Sequence, residues 1–410
     1  MEEQITANEQ PPLAGIRVLE LCSLIAGPMA ARILGDFGAQ VIKVEVPGQG
    51  DELRRWGTML ETNKGQLSAW WFSMARNKQL ITLNLREPKG QALALKLVEQ
   101  CDIVIENFRP GRLEAWNLGY EQMQAVNPGI ILVRLSGYGQ TGPYSQYAGY
   151  GNIGESMGGL RYITGYPDRP PVRIGVSLGD SLAANQAALG AMMALQVRQR
   201  NGRGQVVDVA ITEAVFAMTE GMLTEYAHAG VVRERNGNIL AQTAPSSIYQ
   251  TQDKRWLAIG GNGDNVFRRF MHCMGQPELV DDPRFCDNQH RIAHNQELDE
   301  IIADWTRQYT LTQAKSLLDK AGIPAGPVMS VADIAADPQY QVREMIAHVA
   351  DERLPGGEVV MPGIVPRLTQ TPGAIQHGGG ELGADNHTVY HDLLGLNESE
   401  ITHFQSKGVI

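Results

Sequence analysis

The stretch GVSLGDSLAANQAALGAMMALQVR, Gly175 to Arg198, sets one carboxylate, Asp180, between a glycine and a long run of small and apolar side chains. From Leu182 onward its alanines, leucines, methionines and glutamines favour helix. The apolar positions fall on every face, so the sequence predicts a buried helix. A charge at the mouth of such a helix has two readings. As an N-cap it would accept backbone N–H bonds and face the positive end of the helix dipole. As a nucleophile or acid–base group it would be held on a rigid element, with Gly179 leaving room for a ligand to approach the backbone.

Other stretches suggest competing chemistry. GYGNIG, Gly149 to Gly154, spells GxGxxG but follows the loop-type residues TGPYSQYA instead of a strand, so it reads as a flexible loop. Near the start, AGP follows a strand, and Glu45 closes the next strand about where a ribose-binding acid would stand. Pro28 removes a backbone donor there and the glycine triplet is missing, which disfavours an NAD-dependent oxidoreductase. GGNGDN, with Gly260, Gly261 and Gly263, suits either an ordinary turn or a mobile lid whose N–H groups could hold an anion. His290/His294 and His387/His391 have HxxxH spacing without the glutamate of HExxH or a third ligand, so no metal is expected. No GxSxG elbow appears, which argues against a Ser/His/Asp hydrolase.

These residues need a scaffold, and the chain supplies an alternating one. IRVLEL, QVIKVE, KQLITLNL, DIVIEN, GIILVRLSGYG and VVDVAI read as strands, with helical GPMAARILGDFGA and KGQALALKLVEQ among them. Alternation of this kind predicts an α/β fold with a doubly wound parallel sheet. Ligands in such sheets sit beyond the carboxyl ends of the strands, which puts EVPGQGDELRRWG, ENFRPGRLEAWNLGY and SGYGQTGPYSQYAGYG in site-forming loops. Beyond VVDVAI a short antiparallel meander and helical pieces from about Asn265 to Asp319 form a smaller α+β domain, closed by AGIPAGPV. The expected division is a large domain over 1–220, a linker over 221–245, a small domain over 246–325, and a tail over 326–410 with a last amphipathic helix.

The 410 residues are 43% hydrophobic, enough for a large core, and carry a net charge of −10. That balance leaves no broad basic surface for nucleic acid, although a local basic pocket could hold a phosphorylated ligand. Cys22, Cys101, Cys273 and Cys286 lack CxxC spacing and fit reduced packing thiols. The leader MEEQITANEQPPLAG is acidic, without the regions of a signal peptide, and no apolar run reaches membrane-spanning length. A cytoplasmic protein without membrane contact is expected.

Taken in order, PLAGIRVLELCSLIAGPMAARILGDFGAQVIKVE, NKQLITLNL, DIVIENFRPG, LSGYGQTGP, GDSLAANQAALGAMMAL, GQVVDVAITEA and the terminal SKGVI resemble the class III CoA-transferases, the group of formyl-CoA transferase and its succinyl-CoA-dependent dicarboxylate relatives. The resemblance implies a Rossmann-like large domain, a tail that returns to it, and an interlocked homodimer. It also implies CoA transfer from an acyl-CoA to a carboxylic acid, with Asp180 as the nucleophile and no tightly bound cofactor. Coenzyme A would lie around Leu24, Ile25, Asn107 and Phe108, with Tyr150 nearby. A basic residue found in some members beyond the NFxPG motif is Ala115 here, so Arg109, Arg112 or Lys78 is left to hold phosphate. Gly151 replaces an acidic residue common in relatives. Arg161, Arg169 and Arg173 are candidates for the distal carboxylate of a diacid. Racemases of 2-methylacyl-CoA esters share the fold but pair the aspartate with a histidine; Tyr150 stands at that position, and an ordinary tyrosine pKa of about 10 suits such proton exchange poorly.

Overall fold

The computed structural model describes residues 10–410; residues 1–9 of the acidic leader lie outside them. Thirteen strands occur among the described residues: β1 (Arg17–Leu21), β2 (Gln40–Glu45), β3 (Met59–Thr62), β4 (Gly65–Ser68), β5 (Lys78–Thr82), β6 (Ile103–Glu106), β7 (Ile131–Ser136), β8 (Val206–Ala210), β9 (Ser246–Gln250), β10 (Trp256–Gly260), β11 (Ala325–Pro327), β12 (Ile346–Ala350) and β13 (Glu358–Pro362). Six of them pair in parallel in the order β5-β2-β1-β6-β7-β8. Counted within this sheet, that is third, second, first, fourth, fifth, sixth. This is the doubly wound order, with the winding reversed between β1 and β6.

Helices cover both faces of the sheet, so its strands are apolar on both sides. Val18, Val41, Ile103, Ile105, Ile131 and Val133 feed one core, together with the helix Ala26–Asp36 and the long helix Leu178–Asn201. Their neighbours Leu19, Ile42, Ile81, Val104 and Leu132 feed the other, against the helices Pro88–Glu99 and Tyr120–Val126. The tail returns to this second core through Tyr390, Ile401, Val409 and Ile410. It also finishes the sheet's edge. The N–H groups of Leu80 and Thr82 on β5 donate to the side chains of Asp385 (2.7 Å) and Asn386 (2.8 Å), and Tyr390 Oη donates to the Thr82 carbonyl at 2.7 Å. An edge strand left with free donors would invite pairing with another chain.

The described chain divides into two compact units. The first runs to Leu160 and includes Ile174–Thr224 and Gln339–Ile410; the second holds Arg161–Arg173 and Glu225–Pro338. In the second, β11-β10-β9 form the antiparallel meander, with a core built by Phe267, Phe270, Leu298, Ile302 and Trp305 from the helices Asp264–Met274 and Asn295–Thr306. Arg161–Arg173, read from the sequence within the first 220 residues, is tied into this unit. Gly237 N–H donates to the Gly165 carbonyl at 2.9 Å, and Tyr162 Oη to Glu234 at 2.6 Å.

Three local expectations need correction. GYGNIG is not a flexible loop: its second glycine opens the helix Gly151–Met157. The long helix is capped at Ser177, and Asp180 lies inside its first turn, so the N-cap reading fails. Nor is that helix buried all round, because Leu189 and Met193 are 50% and 59% exposed in this chain. Ala183, Ala184, Ala187, Ala191 and Ala194 form its buried face.

Candidate active site

At the reversal between β1 and β6 lie the turns that follow those two strands, the place where ligands of doubly wound sheets bind. Asn107, just after β6, ties the turns together: its Oδ1 accepts the Ser23 N–H at 3.1 Å and its Nδ2 donates to the Ser23 carbonyl at 2.8 Å. Leu24 takes the left-handed conformation (φ 67°), and Ile25 starts the descent into the helix Ala26–Asp36. Leu24, Ile25, Asn107 and Phe108 are therefore neighbours at the switch point.

The β6 turn is braced from beneath. Glu106, fully buried, accepts the Phe108 N–H at 2.7 Å with one oxygen and Arg134 Nε at 2.7 Å with the other. Arg134 continues to Glu114 at 2.7 Å. Burial pushes the Glu106 carboxyl up to about 7, with Arg134 and the Phe108 N–H pulling against it. The Phe108 ring meets Trp116 edge-on at 5.1 Å, and the Arg112 guanidinium lies 5.6 Å from the Trp116 ring. Arg109 and Arg112 are exposed on this loop. Lys78 is not: its ammonium is buried 2.7 Å from Glu20 and donates to the Pro28 carbonyl at 2.8 Å. Burial draws it down to about 8 even with Glu20 beside it. The phosphate role expected of Lys78 therefore does not fit its interior position.

Asp180 is positioned by glycines. The long helix starts against the helix Gly151–Met157. A Cβ on Gly151 would come 2.7 Å from Asp180 Cγ and nearer still to Oδ2, while one on Gly179 would come 2.8 Å from the Gly151 carbonyl. Buried Glu155 accepts the Gly179 N–H at 3.1 Å. One turn of each helix thus meets backbone to backbone, and the carboxylate fills the space where a side chain at 151 would stand. Tyr150, the N-cap residue of the shorter helix, is 64% exposed beside it. The place of Asp180 in the first turn of the long helix sets its carboxylate near the positive end of the helix dipole.

The remaining candidates belong to the second unit. Gly260 ends β10, and its N–H donates to the Pro324 carbonyl (2.9 Å); Gly261 N–H donates to the Pro245 carbonyl (3.0 Å). Those two groups are unavailable to an anion. Gly263 caps the helix Asp264–Met274, and buried Arg291 pins the segment through the Asn262 carbonyl (3.0 Å), Asp264 (2.7 Å) and the Ala244 carbonyl (2.9 Å). A cavity of about 370 Å³ lies on this unit, lined by Asn238, Ser246, Ser247, Ala258, Gly260 and Gly326. Arg169 and Arg173 are exposed and Arg161 is half-buried. Of the HxxxH histidines, His290 is exposed and His294 half-buried in this unit, while the exposed His387 and His391 belong to the first; all have local carboxylate or carbonyl partners, such as His290 with Asp287 (2.9 Å) and His387 with Glu398 (2.7 Å).

Sequence reasoning missed the buried ionic groups beneath the switch point: Glu20, Lys43, Glu45, Asp51 and Arg54 as well as Glu106 and Arg134. A signal was present, since VLEL, VIKVE and VIEN each set a charge inside an otherwise apolar strand. A charge there is costly unless paired.

Residues 13–386 match the model of CoA-transferase family III. The chain is 52% identical over 406 residues to succinyl-CoA–D-citramalate CoA-transferase from Chloroflexus aurantiacus, covering 98% of this chain and all of that one. It is 39% identical over 406 residues to the alpha subunit of succinyl-CoA–L-malate CoA-transferase from Chloroflexus aurantiacus, covering 99% and 94%. Among solved structures it is similar to a CAIB/BAIF family protein from Brucella suis, with a TM-score of 0.84 and 32% identity over 94% of this chain and all of that one. The chain belongs to CoA-transferase family III.

Proposed function

We propose that this protein moves coenzyme A from succinyl-CoA, or a related dicarboxyl-CoA, to a carboxylic acid acceptor. The observation that carries the reading is the 52% identity over nearly the whole chain to an enzyme named for succinyl-CoA and D-citramalate. A branched hydroxy-diacid is accordingly the first acceptor to try. Asp180 in a first helical turn, with Tyr150 exposed beside it, supports the chemistry.

In the proposed sequence the Asp180 carboxylate attacks the thioester carbonyl and expels CoA thiolate, leaving a mixed anhydride. The thiolate attacks the aspartyl carbonyl and expels the donor acid as its carboxylate, leaving an aspartyl-CoA thioester. The acceptor carboxylate attacks that thioester, and the returning thiolate attacks the acceptor carbonyl, which releases the new CoA ester and Asp180. Acyl-CoA would lie along Leu24, Ile25, Asn107 and Phe108, with Arg109 or Arg112 on phosphate and an arginine among Arg161, Arg169 and Arg173 on the distal carboxylate. The segment Gly260–Gly263 would exclude water from the anhydride. The working form would be a homodimer, for which the exposed apolar Leu189, Met193, Phe216 and Leu223 offer a surface. Four free cysteines support a cytoplasmic setting. Among the described residues no helix is long and apolar enough to cross a membrane.

A matrix of CoA donors against acids, run with wild type and Asp180→Ala, tests the reading. Transfer from succinyl-CoA to a diacid, abolished in the variant, is expected. Hydroxylamine with acyl-CoA should convert Asp180 to a hydroxamate visible by peptide mass, because it captures activated carboxylates. Full transfer by Asp180→Ala would overturn the mechanism. Exchange of an α-proton with deuterated water and no hydroxamate would instead identify a racemase.

A further inference from the structure

The turn Cys22–Leu24 makes one holding contact of its own, from Cys22 Sγ to the Ile105 carbonyl at 3.2 Å. Four of its backbone groups are held by side chains from three other segments. Asn107 takes the Ser23 N–H and carbonyl, Lys43 Nζ donates to the Cys22 carbonyl at 2.9 Å, and Asp51 Oδ1 accepts the Leu24 N–H at 3.1 Å. Leu24 needs the help. A non-glycine residue at φ 67° costs about 1–2 kcal/mol and persists only where its surroundings over-determine it.

Asp51 is itself heavily constrained. Its Oδ1 also accepts the Leu53 N–H at 2.9 Å, and its Oδ2 lies 2.8 Å from Lys43 Nζ, which bonds Glu20 at 2.8 Å as well. The Asp51 N–H donates to Glu45 Oε2 at 2.8 Å, and Glu45 grips Arg54 through two bonds of 2.7 Å. All five charged residues are buried. Burial opposes the Asp51 charge, but Lys43 and the Leu53 and Leu24 N–H groups outweigh it and hold the carboxyl below its usual range. Such an array is expensive to bury and is well suited to fixing one conformation.

We propose that Asp51, with Lys43 as its counter-ion, is a positioning residue for acyl-CoA: it holds Leu24 in the left-handed conformation that presents Leu24 and Ile25 to the ligand. The proposal rests on the reading of this turn as the acyl-CoA surface. A purely structural Asp51, capping the turn Glu52–Arg55, would affect stability without a selective effect on the ligand.

The test uses Leu24→Gly, because glycine takes φ near 67° without support. Asp51→Ala should raise KM for succinyl-CoA about ten-fold while kcat stays within about three-fold; in the Leu24→Gly background the same change should raise KM by less than about three-fold. Asp51→Asn keeps the acceptor oxygen but loses the ion pair, should lie between, and serves if Asp51→Ala does not fold. Hydrogen exchange of the segment 22–27 separates the two levels of inference. Faster exchange in the ligand-free Asp51 variants, with protection restored by CoA, is expected. Unchanged exchange, or an equal KM penalty in both backgrounds, overturns the positioning role and leaves the acyl-CoA surface standing. Faster exchange with no change in KM, and no protection of the segment by CoA in wild type, overturns the acyl-CoA reading and this proposal with it.

Discussion

Gly151 and Glu106 show how single residues set this site. A methyl group at 151 would collide with the Asp180 carboxylate, so Gly151→Ala must push that carboxylate, the proposed nucleophile, aside. Misplacement of a reacting group by about 1 Å costs on the order of 100-fold in rate, and steady-state assays should find a loss of that size in kcat. Gly175→Ala is the control: its Cβ would meet open space, and turnover should be unchanged. Glu106 predicts a pH effect. Between its ordinary value of 4.5 and about 7 the folded protein keeps a proton that the unfolded chain has lost, so the contribution of Glu106 to stability falls as pH rises through that window. In urea unfolding, the stability of wild type relative to Glu106→Gln should therefore decline from pH 5 to pH 7.5. A flat difference would mean that Arg134 holds the carboxylate ionised throughout.

The long helix Leu178–Asn201 carries Asp180 at one end and depends on small side chains along its buried face. Ala187→Leu would drive a larger group into the layer shared with Ala30 and Ala31, where overpacking costs about 1–3 kcal/mol; a lowered denaturation midpoint would register it. This helix and the six sheet strands were legible because their patterns are local: continuous apolar runs for strands buried on two faces, and a helix-forming composition closed by Gly202 in the left-handed region. What stayed hidden depends on long-range partners. The β3–β4 hairpin has no alternating pattern in its short strands, and GYGNIG looks like a loop until Gly154 and Gly158 are seen lying against Ile211 and Val215. Asp180 was legible as a charge in need of a reason, but the glycine that makes room for it was not. The ion pairs under Leu24 join Glu20, Lys43 and Asp51, residues whose pairing no local period reports.

At the scale of the whole molecule, the apolar Leu189 and Met193 share the exposed side of the long helix with Asn185 and Gln196, and the proposed homodimer would cover them. Light scattering should find two chains per particle even on strong dilution, because interlinked chains cannot part without unfolding; a particle of one chain's mass would count against the dimer. Succinyl-CoA should stabilise that particle, with a thermal midpoint that rises with ligand concentration. Time enters through the tail. The edge of β5 is finished by Asp385 and Asn386, and Leu80 precedes Asp385 by 305 positions. At roughly 5–20 residues per second, a nascent chain carries that edge unsealed for about 15 to 60 s. For that interval the growing polypeptide presents an open strand to its neighbours on the same message, so yield in the cell should depend on how well the strand is shielded while the ribosome catches up.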